Sequence, residues 1–479
     1  MSATAELYDG NSIAYFPNQK IGEGTEKEFF LTEARNLLIG FYKDRAGTSD
    51  PERLKRLTRI IEDYNPVRNP ETGKFWEKHF CWPSAIVKNP SPGILVPRFP
   101  SQYFFSDGKR EKKGKWFFSY RLSSGLEKKE RGNLRDRLGI CRWLSRAVSR
   151  MHSAGLAHSD LSGNNVLMDP QNGTCMIIDV DSLVVRGIFP PKVLGTRGYI
   201  APEIVATSML PLHHPKKILP GIKTDLHSLA IIIYETLLLR HPLEGKKVHS
   251  DDPEEDDLLS LGKQAVFIEN PKDDSNRPED LKMPYISLGP YLALLFERAF
   301  TEGLKDPEAR PTALEWEDAI IRTLDLLHPC SGKDCWYEWF VCRKESDLKC
   351  SFCGQATADS IPLMHLFRFF QTGQYISENR CLAVWENRKL HEWHIRSDLS
   401  CPPEPEENFR EKGIFVCKDK NWFLQNRNSD SMVSASGKSI HPEEYAEIKG
   451  NKTVLLYPRT EGRVAVFEFT KLQNRLPDC

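Results

Sequence analysis

Two short apolar runs, with polar residues at fixed distances around them, constrain this chain more than any other feature. The stretch 157–170 (AHSDLSGNNVLMDP) places Asp160 and Asn165 in a polar loop, directly before an apolar triplet typical of a strand start. Asp179 lies fourteen residues after Asn165, within the β-branched run 176–185. A lone carboxylate in an apolar strand is costly unless it is paired or binds a metal. We therefore expect Asp179 to be functional.

Further motifs stand upstream and downstream of this loop in a definite order. They are Ile21-Gly22-Glu23-Gly24, the strand-like run LLIGFYK that ends at Lys43, the segment GTRGYIAPE over 195–203, Asp225 at the start of a buried helix over 225–239, and Arg310 in DPEARPT. Their order and spacing resemble the protein kinase superfamily over roughly residues 10–325. The resemblance implies an α+β, bilobal protein-kinase-like fold, with an N-lobe over about 10–96 and a C-lobe over about 100–325.

This resemblance implies roles for the three polar residues. Asp160 matches the aspartate that accepts the proton of the attacking hydroxyl group. Asn165 and Asp179 match the residues that hold Mg²⁺ on the phosphates of ATP. Phosphoryl transfer depends on positioning and charge neutralisation more than on covalent chemistry, and Mg²⁺ prefers oxygen ligands. The polar loop is therefore the candidate active site.

The resemblance also implies how the nucleotide is held. Gly22 and Gly24 match the loop whose backbone N–H groups cover the phosphates. Lys43 matches the lysine that grips the α- and β-phosphates, with a solvated lysine at a strand end as the alternative. The strand GILVP over 93–97, which contains Val96, matches the segment whose backbone binds adenine.

In kinases this lysine is paired with a helix glutamate, and two candidates remain open. The helix predicted over 51–66 (PERLKRLTRIIEDYNP) carries Glu52 and Glu62. We prefer Glu52 as the partner of Lys43, because Glu62 lies close to Pro66, where helices end.

Other charged residues are assigned structural roles. Glu203 is predicted to form a buried ion pair with Arg310, as kinases pair these two positions. Asp225 is predicted to anchor the backbone of the polar loop. The phenylalanine-rich stretch 101–120 is interpreted as an inserted hairpin.

The chain departs from the kinase pattern at several positions. Lys27 stands where a third glycine is usual, and Ser159 replaces the arginine that reads a phosphate on the activation segment. Ser162 replaces a phosphate-contacting lysine, and Asp181 replaces the glycine of Asp-Phe-Gly. The missing arginine predicts an activity that is not switched by phosphorylation of the activation segment. The base and the metal ligands are retained, which favours an active enzyme over a pseudokinase.

A cysteine cluster follows the kinase-like region, over residues 326–356. Two close pairs, the second a CxxC before glycine, are typical of a tetrahedral four-thiolate zinc site. The predicted ligands are Cys330, Cys335, Cys350 and Cys353. Cys342 is a substitute ligand, and His328 is a weaker one. A segment this short has little core of its own, so we expect Zn²⁺ to supply its folding energy.

Short strand-like runs separated by polar turns predict a β-rich domain over 372–475. The runs around Trp422, 429–440 and 466–469 resemble the end of a forkhead-associated β-sandwich. Asp430-Ser431 stands where such domains have asparagine-glycine beside phosphothreonine. The whole arrangement resembles bacterial kinases with a zinc-ribbon tail from tellurite-resistance-type clusters, which implies a phosphatase and a von Willebrand A protein as partners.

Composition excludes several other classes of function. Lys+Arg and Asp+Glu both total 66, so there is no bulk charge that would favour nucleic acid. The longest apolar run, 229–239, is shorter than a membrane span and contains Glu235. The amino terminus has no secretory signal pattern. These features predict a cytoplasmic protein whose twelve cysteines are thiols or metal ligands.

The sequence therefore predicts a serine/threonine protein kinase that uses ATP, Mg²⁺ and Zn²⁺ and acts on a protein substrate. A nucleotide-binding pseudokinase scaffold is the alternative, and a small-molecule kinase of the same fold is a third interpretation. The segment ending in GYIAPE favours peptide substrates over small molecules.

Overall fold

The computed structural model describes residues 2–44, 51–185, 187–191, 194–211, 213–342, 348–357, 360–371, 374–399, 411–428, 430–434, 436–450, 452–457 and 461–469. The chain forms two compact units. The first comprises residues 1–131, 139–280 and 297–314, and the second comprises residues 132–138, 281–296 and 315–479. Within the described ranges, no helix has the length and apolar character needed to cross a membrane.

The first unit contains both helices and strands, and the second unit consists mostly of strands. The helices are α1 Pro51–Glu62, α2 Gly73–Trp76, α3 Tyr120–Ser124, α4 Lys128–Arg131, α5 Leu134–Ser153, α6 Pro202–Val205, α7 Ile222–Leu238, α8 Pro253–Ser260, α9 Pro290–Phe300, α10 Ala313–Asp325 and α11 Glu392–Ile395. The strands of the first unit are β1 Ala3–Leu7, β2 Ser12–Glu23, β3 Lys27–Thr32, β4 Leu37–Tyr42, β5 Ala85–Asn89, β6 Gly93–Pro97, β7 Leu156–Ala157, β8 Val166–Asp169, β9 Thr174–Ile177 and β10 Val184–Val185. Those of the second unit are β11 Leu327–Pro329, β12 Trp339–Val341, β13 Pro362–Gln371, β14 Gln374–Ala383, β15 Lys389–Leu390, β16 Gly413–Lys418, β17 Asn421–Asn426, β18 Met432–Ser434, β19 Ser439–Ile440, β20 Tyr445–Ile448, β21 Thr453–Leu455 and β22 Arg463–Phe469.

The first six strands close into an antiparallel barrel in the order β1-β2-β3-β4-β6-β5. Side chains alternate between its two faces, as strand geometry requires. Along β4, Leu38 and Tyr42 join a buried cluster that contains Val96 and Ile178, whereas Ile39 joins a different cluster. The first of these clusters extends beyond the barrel to the hairpin of β8 and β9, and so joins the barrel to the segment that carries the polar loop. Strand β1 precedes residue 10, so the barrel begins earlier than the predicted boundary.

Two long helices frame the rest of the first unit. Residues 133–152 carry apolar residues at helical spacing and form α5, and the buried helix predicted over 225–239 is confirmed as α7. Every side chain from Thr224 to Leu238 on α7 is buried, which explains why its apolar residues surround the whole helix instead of one face.

Two sequence expectations are wrong in detail. The stretch 101–120 is not a regular hairpin: it contains one antiparallel bridge, between Phe104 and Glu111, flanked by short 3₁₀ turns. Strand β9 ends at Ile177, so Asp179 does not lie inside a strand. It adopts a left-handed conformation (φ 62°, ψ 39°) that begins a 3₁₀ turn.

The second unit contains two antiparallel sheets that share one core. One sheet has the order β14-β13-β22-β21-β18-β19, and the other has the order β15-β16-β17-β20. Phe415 of the second sheet and Phe467 of the first are fully buried and in edge-to-face contact. The first strand of this domain, β13, begins at Pro362, before the predicted start at residue 372. The predicted boundaries at 372 and 475 lie outside the described residues.

A buried cluster of charges connects helix α10 to these sheets. Asp325, the last residue of α10, accepts from Arg380 Nε at 2.9 Å, Arg388 Nη2 at 3.3 Å and His394 Nε2 at 3.1 Å. Burial alone would raise the pKa of Asp325, but Arg380, His394 and Arg388 together hold it below its ordinary value. Helix α10 therefore belongs to the second unit, although the sequence assigned it to the kinase-like domain.

Candidate functional site

The predicted polar loop runs from β7 to β8 and brings Asp160 and Asn165 into contact. Asn165 Nδ2 donates to the backbone oxygen of Asp160 at 2.8 Å and to Asp160 Oδ2 at 3.1 Å. The backbone oxygen of Asn165 accepts from the N–H of Ile178 at 3.0 Å. This bond connects the loop to the residue that precedes Asp179. Hydrogen bonds therefore join Asp160 to Asn165 directly, and they join Asn165 to the neighbour of Asp179.

The loop backbone is anchored by a buried carboxylate of α7. Asp225 accepts from the N–H of His158 at 2.7 Å and from the N–H of Ser159 at 3.0 Å. Ser159 has a φ of 62°, a conformation that costs of order 1–3 kcal/mol in a non-glycine residue and persists only where surrounding contacts impose it. The predicted anchoring role of Asp225 is confirmed.

Thr196 is a contact of the loop that sequence reasoning missed. Its Oγ1 donates to Asp160 Oδ1 at 2.6 Å, so both carboxylate oxygens of Asp160 are fixed by side chains. The preceding Gly195 has a φ of 116°, and a Cβ there would lie 3.3 Å from the backbone oxygen of Ser159. A hydroxyl residue directly after this constrained glycine is the signal that was available in the sequence.

Asp179 is paired with a lysine that was not predicted to be part of the site. Lys27 Nζ donates to Asp179 Oδ1 at 2.9 Å and to both carboxylate oxygens of Asp181 at 2.8 Å. The side chains of Lys27 and Asp181 are 6% and 5% exposed, whereas that of Asp179 is 46% exposed. One carboxylate is therefore buried with the lysine, and the other opens toward solvent.

Lys43 does not lie where the sequence predicted it. Its Nζ pairs with Glu23 at 2.5 Å on the exposed face of the hairpin between β2 and β3. The physical reason is strand alternation: Tyr42 points to the buried face that contains Val96, and the next residue must point away. The residue of this strand that faces the core is therefore Tyr42, one position before the lysine that was predicted to bind the phosphates.

The predicted pairing of Lys43 with a helix glutamate is also wrong. In the part of the chain that the structure describes, Lys43 pairs with neither Glu52 nor Glu62, and both of these side chains lie on the exposed surface of α1. Helix α1 instead presents Arg53, whose guanidinium lies 4.6 Å from the centre of the Tyr42 ring. This helix contributes a cation at the position where an anion was expected.

Of the other residues predicted to bind nucleotide, two lie at a hairpin of the barrel and the third is buried in its core. Gly22 and Gly24 stand at the hairpin between β2 and β3, where the Gly24 N–H donates to the backbone oxygen of Lys27 at 2.8 Å. A Cβ at Gly22 would meet nothing within 4 Å, so the space beside it is open. Val96 is buried on β6.

The segment that follows Thr196 is held by two buried contacts. Arg310 binds Glu203 with two parallel bonds of 2.8 Å and 2.7 Å, as predicted. Tyr199 donates its hydroxyl to Glu235 Oε2 at 2.7 Å. Burial raises the pKa of Glu235 to about 8, because this bond compensates only in part for the lost solvation of the carboxylate.

The donor set around the loop fits Mg²⁺. The exposed carboxylate of Asp179 and the amide oxygen of Asn165 are oxygen ligands of the kind that Mg²⁺ prefers. A cation bound there would also balance the local charge, because one lysine stands against two aspartates.

The four predicted cysteines meet in the second unit. Their sulfur atoms all lie within 4.8 Å of one another. The distance from Cys330 Sγ to Cys353 Sγ is 3.5 Å, and that from Cys335 Sγ to Cys350 Sγ is 3.7 Å. Four thiolates about 2.3 Å from Zn²⁺ form a tetrahedron with edges of about 3.8 Å, so the geometry fits this ion. Cys342 and His328 are not part of the cluster.

Comparison with known proteins shows a similarity in the central part of the chain. Residues 121–316 match the family model described as protein kinase domain. The dual specificity protein kinase TTK of Mus musculus is 27% identical over 231 residues, which cover 43% of this chain and 26% of the relative. The serine/threonine-protein kinase PknA of Mycobacterium tuberculosis is 30% identical over 131 residues, which cover 26% of this chain and 27% of the relative.

The chain thus spans about a quarter of the length of these two relatives. A solved rhoptry antigen kinase domain of Toxoplasma gondii covers 64% of this chain and 85% of its own length, at 16% identity and a TM-score of 0.37. The family model and the curated relatives support a protein kinase, which is a phosphotransferase.

Proposed function

We propose that this protein is a serine/threonine protein kinase that transfers the γ-phosphate of ATP to a hydroxyl group of a protein. The observation that carries the proposal is the contact of Asp160 with Asn165, beside the exposed carboxylate of Asp179. In this proposal a base and two oxygen ligands for Mg²⁺ stand together, and phosphoryl transfer depends mainly on such positioning and on charge neutralisation.

Each residue has a distinct role in the proposed reaction. Asp160 orients the attacking hydroxyl group and accepts its proton, and the contacts from Thr196 and Asn165 keep its carboxylate in one orientation. Asn165 and Asp179 would hold Mg²⁺, which neutralises charge on the phosphates. Gly22 and Gly24 would approach the phosphates with backbone N–H groups.

The nucleotide base and the acceptor would bind at opposite ends of this arrangement. Val96 belongs to the strand whose backbone would receive adenine. The segment from Thr196 to Glu203 would receive the protein substrate. The ion pair between Glu203 and Arg310 supports this assignment, because it fixes the segment that a peptide would meet.

The second unit would serve for recruitment. Cys330, Cys335, Cys350 and Cys353 would hold one structural Zn²⁺ with no open coordination position. The paired sheets beyond it are proposed to be a degenerate forkhead-associated-like domain that binds partners. On the basis of the resemblance to tellurite-resistance-type clusters, we propose a phosphatase and a von Willebrand A protein as those partners. The interaction would take place in a bacterial cytoplasm.

One observation favours the alternative, a nucleotide-binding pseudokinase scaffold. The bond from Lys27 Nζ engages the Asp179 carboxylate, which Mg²⁺ must share. A scaffold would keep this bond and bind nucleotide without transferring phosphate.

Incubation of the full chain with ATP, Mg²⁺ and a generic protein substrate separates the two functions. If the protein is a kinase, intact mass spectrometry should show phosphorylation, as increments of about 80 daltons, of the protein itself or of the substrate. The matched Asp160→Asn variant should show none. Wild-type protein that binds ATP and never transfers phosphate would establish the scaffold instead.

A further inference from the structure

The environment of Lys27 is unlike that of a surface lysine. All three donors of its ammonium group are engaged, one by Asp179 Oδ1 at 2.9 Å and two by Asp181 at 2.8 Å. A lysine that is 6% exposed must be paired, because an isolated buried ammonium is prohibitively costly. Its two partners differ: Asp181 is as buried as the lysine, and Asp179 is open to solvent.

The strand ladder fixes where this ammonium group lies. Lys27 on β3 and Tyr42 on β4 are direct cross-strand partners, so their side chains share one face of the barrel. The Tyr42 hydroxyl donates to Asp181 Oδ2 at 2.7 Å, and Arg53 covers the Tyr42 ring. Asp181 is therefore held from two strands, and it fixes the lysine beside the predicted metal ligand.

The charges in this cluster indicate which of the two carboxylates stays bound to Lys27 when a metal ion binds. One ammonium and two carboxylates leave one negative charge in excess. If Asp179 turns to Mg²⁺, the two bonds to Asp181 still neutralise Lys27, and its third N–H becomes available to an anion beside the metal. A phosphate group of the nucleotide is the anion that the proposed function brings there.

We propose that Lys27 is the lysine that contacts the nucleotide phosphates, and that Asp181 is the positioning residue that holds it there. The inference rests on the proposed function and replaces the expected Lys43 and its helix glutamate. The lysine's carboxylate partner thereby moves from a separate helix to the turn that carries Asp179. Helix α1 then need not supply the carboxylate partner, which accords with the cation that it presents at Arg53.

Lys27→Met and Lys43→Met are compared in the full chain, with Lys20→Met as a surface-lysine control from the same hairpin. Two quantities are measured: the dissociation constant for Mg-ATP and the rate of phosphate transfer. Lys27→Met should weaken Mg-ATP binding by roughly tenfold or more and slow transfer by about 100-fold. The other two variants should stay within about twofold of wild type. A loss in Lys43→Met with normal Lys27→Met would overturn the assignment.

The role of Asp181 is tested by a double-mutant cycle. Asp181→Asn alone should weaken Mg-ATP binding, but in the Lys27→Met background it should have no further effect, because the lysine that it holds is gone. An equal loss in both backgrounds would mark Asp181 as merely structural. Adding Tyr42→Lys to Lys27→Met places a lysine on the same face of the barrel and should restore part of the transfer rate.

Folding is checked separately, since the cluster is buried. Lys27→Arg keeps the charge and its pairing with Asp181 but changes the donor geometry. It should fold normally and still lose transfer, so normal transfer in a folded Lys27→Arg would also refute the inference. Wild type that binds Mg-ATP without transferring phosphate refutes the kinase function alone, because the binding series still decides the role of Lys27. Wild type that does not bind Mg-ATP refutes both.

Discussion

Removal of Arg310 should be among the most damaging single substitutions in the first unit. Its guanidinium makes two bonds to Glu203 and one bond each to the backbone oxygens of Gly303 and Lys223, all between 2.7 and 2.8 Å. The Arg310 side chain is 1% exposed. Arg310→Ala leaves the Glu203 carboxylate and two carbonyl groups without these donors. Breaking a buried ion pair from one side costs about 3–5 kcal/mol, a large part of the roughly 5–15 kcal/mol that stabilises a typical domain.

The measurement is the free energy of unfolding in urea, with the melting temperature as a second readout. With an unfolding entropy of about 2.1 cal/mol/K per residue, the stated cost corresponds to a fall of roughly 5–8 °C in a unit as large as the first one. Arg197→Ala is the matched control, because Arg197 also forms ion pairs, with Asp257 and Glu244, but is 61% exposed. The control should lose about 0–1 kcal/mol. If Arg310→Ala loses no more than Arg197→Ala does, the buried pair does not stabilise this segment and the reasoning is wrong.

Three further outcomes are expected. Asp160→Asn and Asp179→Asn should each lower phosphate transfer by roughly 100-fold or more while circular dichroism and melting temperature stay near wild type; full activity in either variant would refute the kinase assignment. Cys353→Ser should lose zinc, measured by elemental analysis, and keep basal ATP turnover, whereas retention of the metal would refute the four-thiolate site. The pKa of Glu235 is raised to about 8 in the folded state, so between pH values of about 4.5 and 8 the folded chain keeps a proton that the unfolded chain has released. The free energy of unfolding should therefore fall as the pH rises through this range. Glu235→Gln should flatten this slope in urea unfolding, and an unchanged slope would contradict the raised pKa.

The motifs of the polar loop could be predicted from sequence because their geometry is set by short spacings and rare residue types. Asp160 and Asn165 are five residues apart on one loop, so local chain geometry alone keeps them close. The partners of Glu203 and of the loop backbone lie far away in sequence, but buried charges are few, and the kinase resemblance named Arg310 and Asp225.

The lysine could not be predicted in the same way. A shift of one residue in strand register reverses the direction of every side chain. The run LLIGFYK alone is compatible with either Tyr42 or Lys43 pointing to the core. The answer depends on how β4 pairs with β3, and therefore on contacts outside the run. Lys27 stands where the kinase pattern has a glycine, so the pattern assigns no function to a lysine at this position.

The boundary of the last domain was missed for a related reason. Strand β13 was not included, because its apolar residues precede the short strand-like runs from which the domain was inferred. It pairs along its length with β22, about a hundred residues later, from Pro362 opposite Phe469 to Arg368 opposite Arg463. Pairing over such a distance leaves no local signal in the sequence.

The charge cluster at the end of α10 determines where this chain can be divided. A C-terminal fragment that starts at residue 326 would contain Arg380 and Arg388 without the carboxylate of Asp325, and would bury two guanidinium groups against each other. A fragment that keeps α10 retains the neutralising charge. Expression of the tail alone should therefore begin before residue 313, because Asp325 is as much a part of that module as the strands around it.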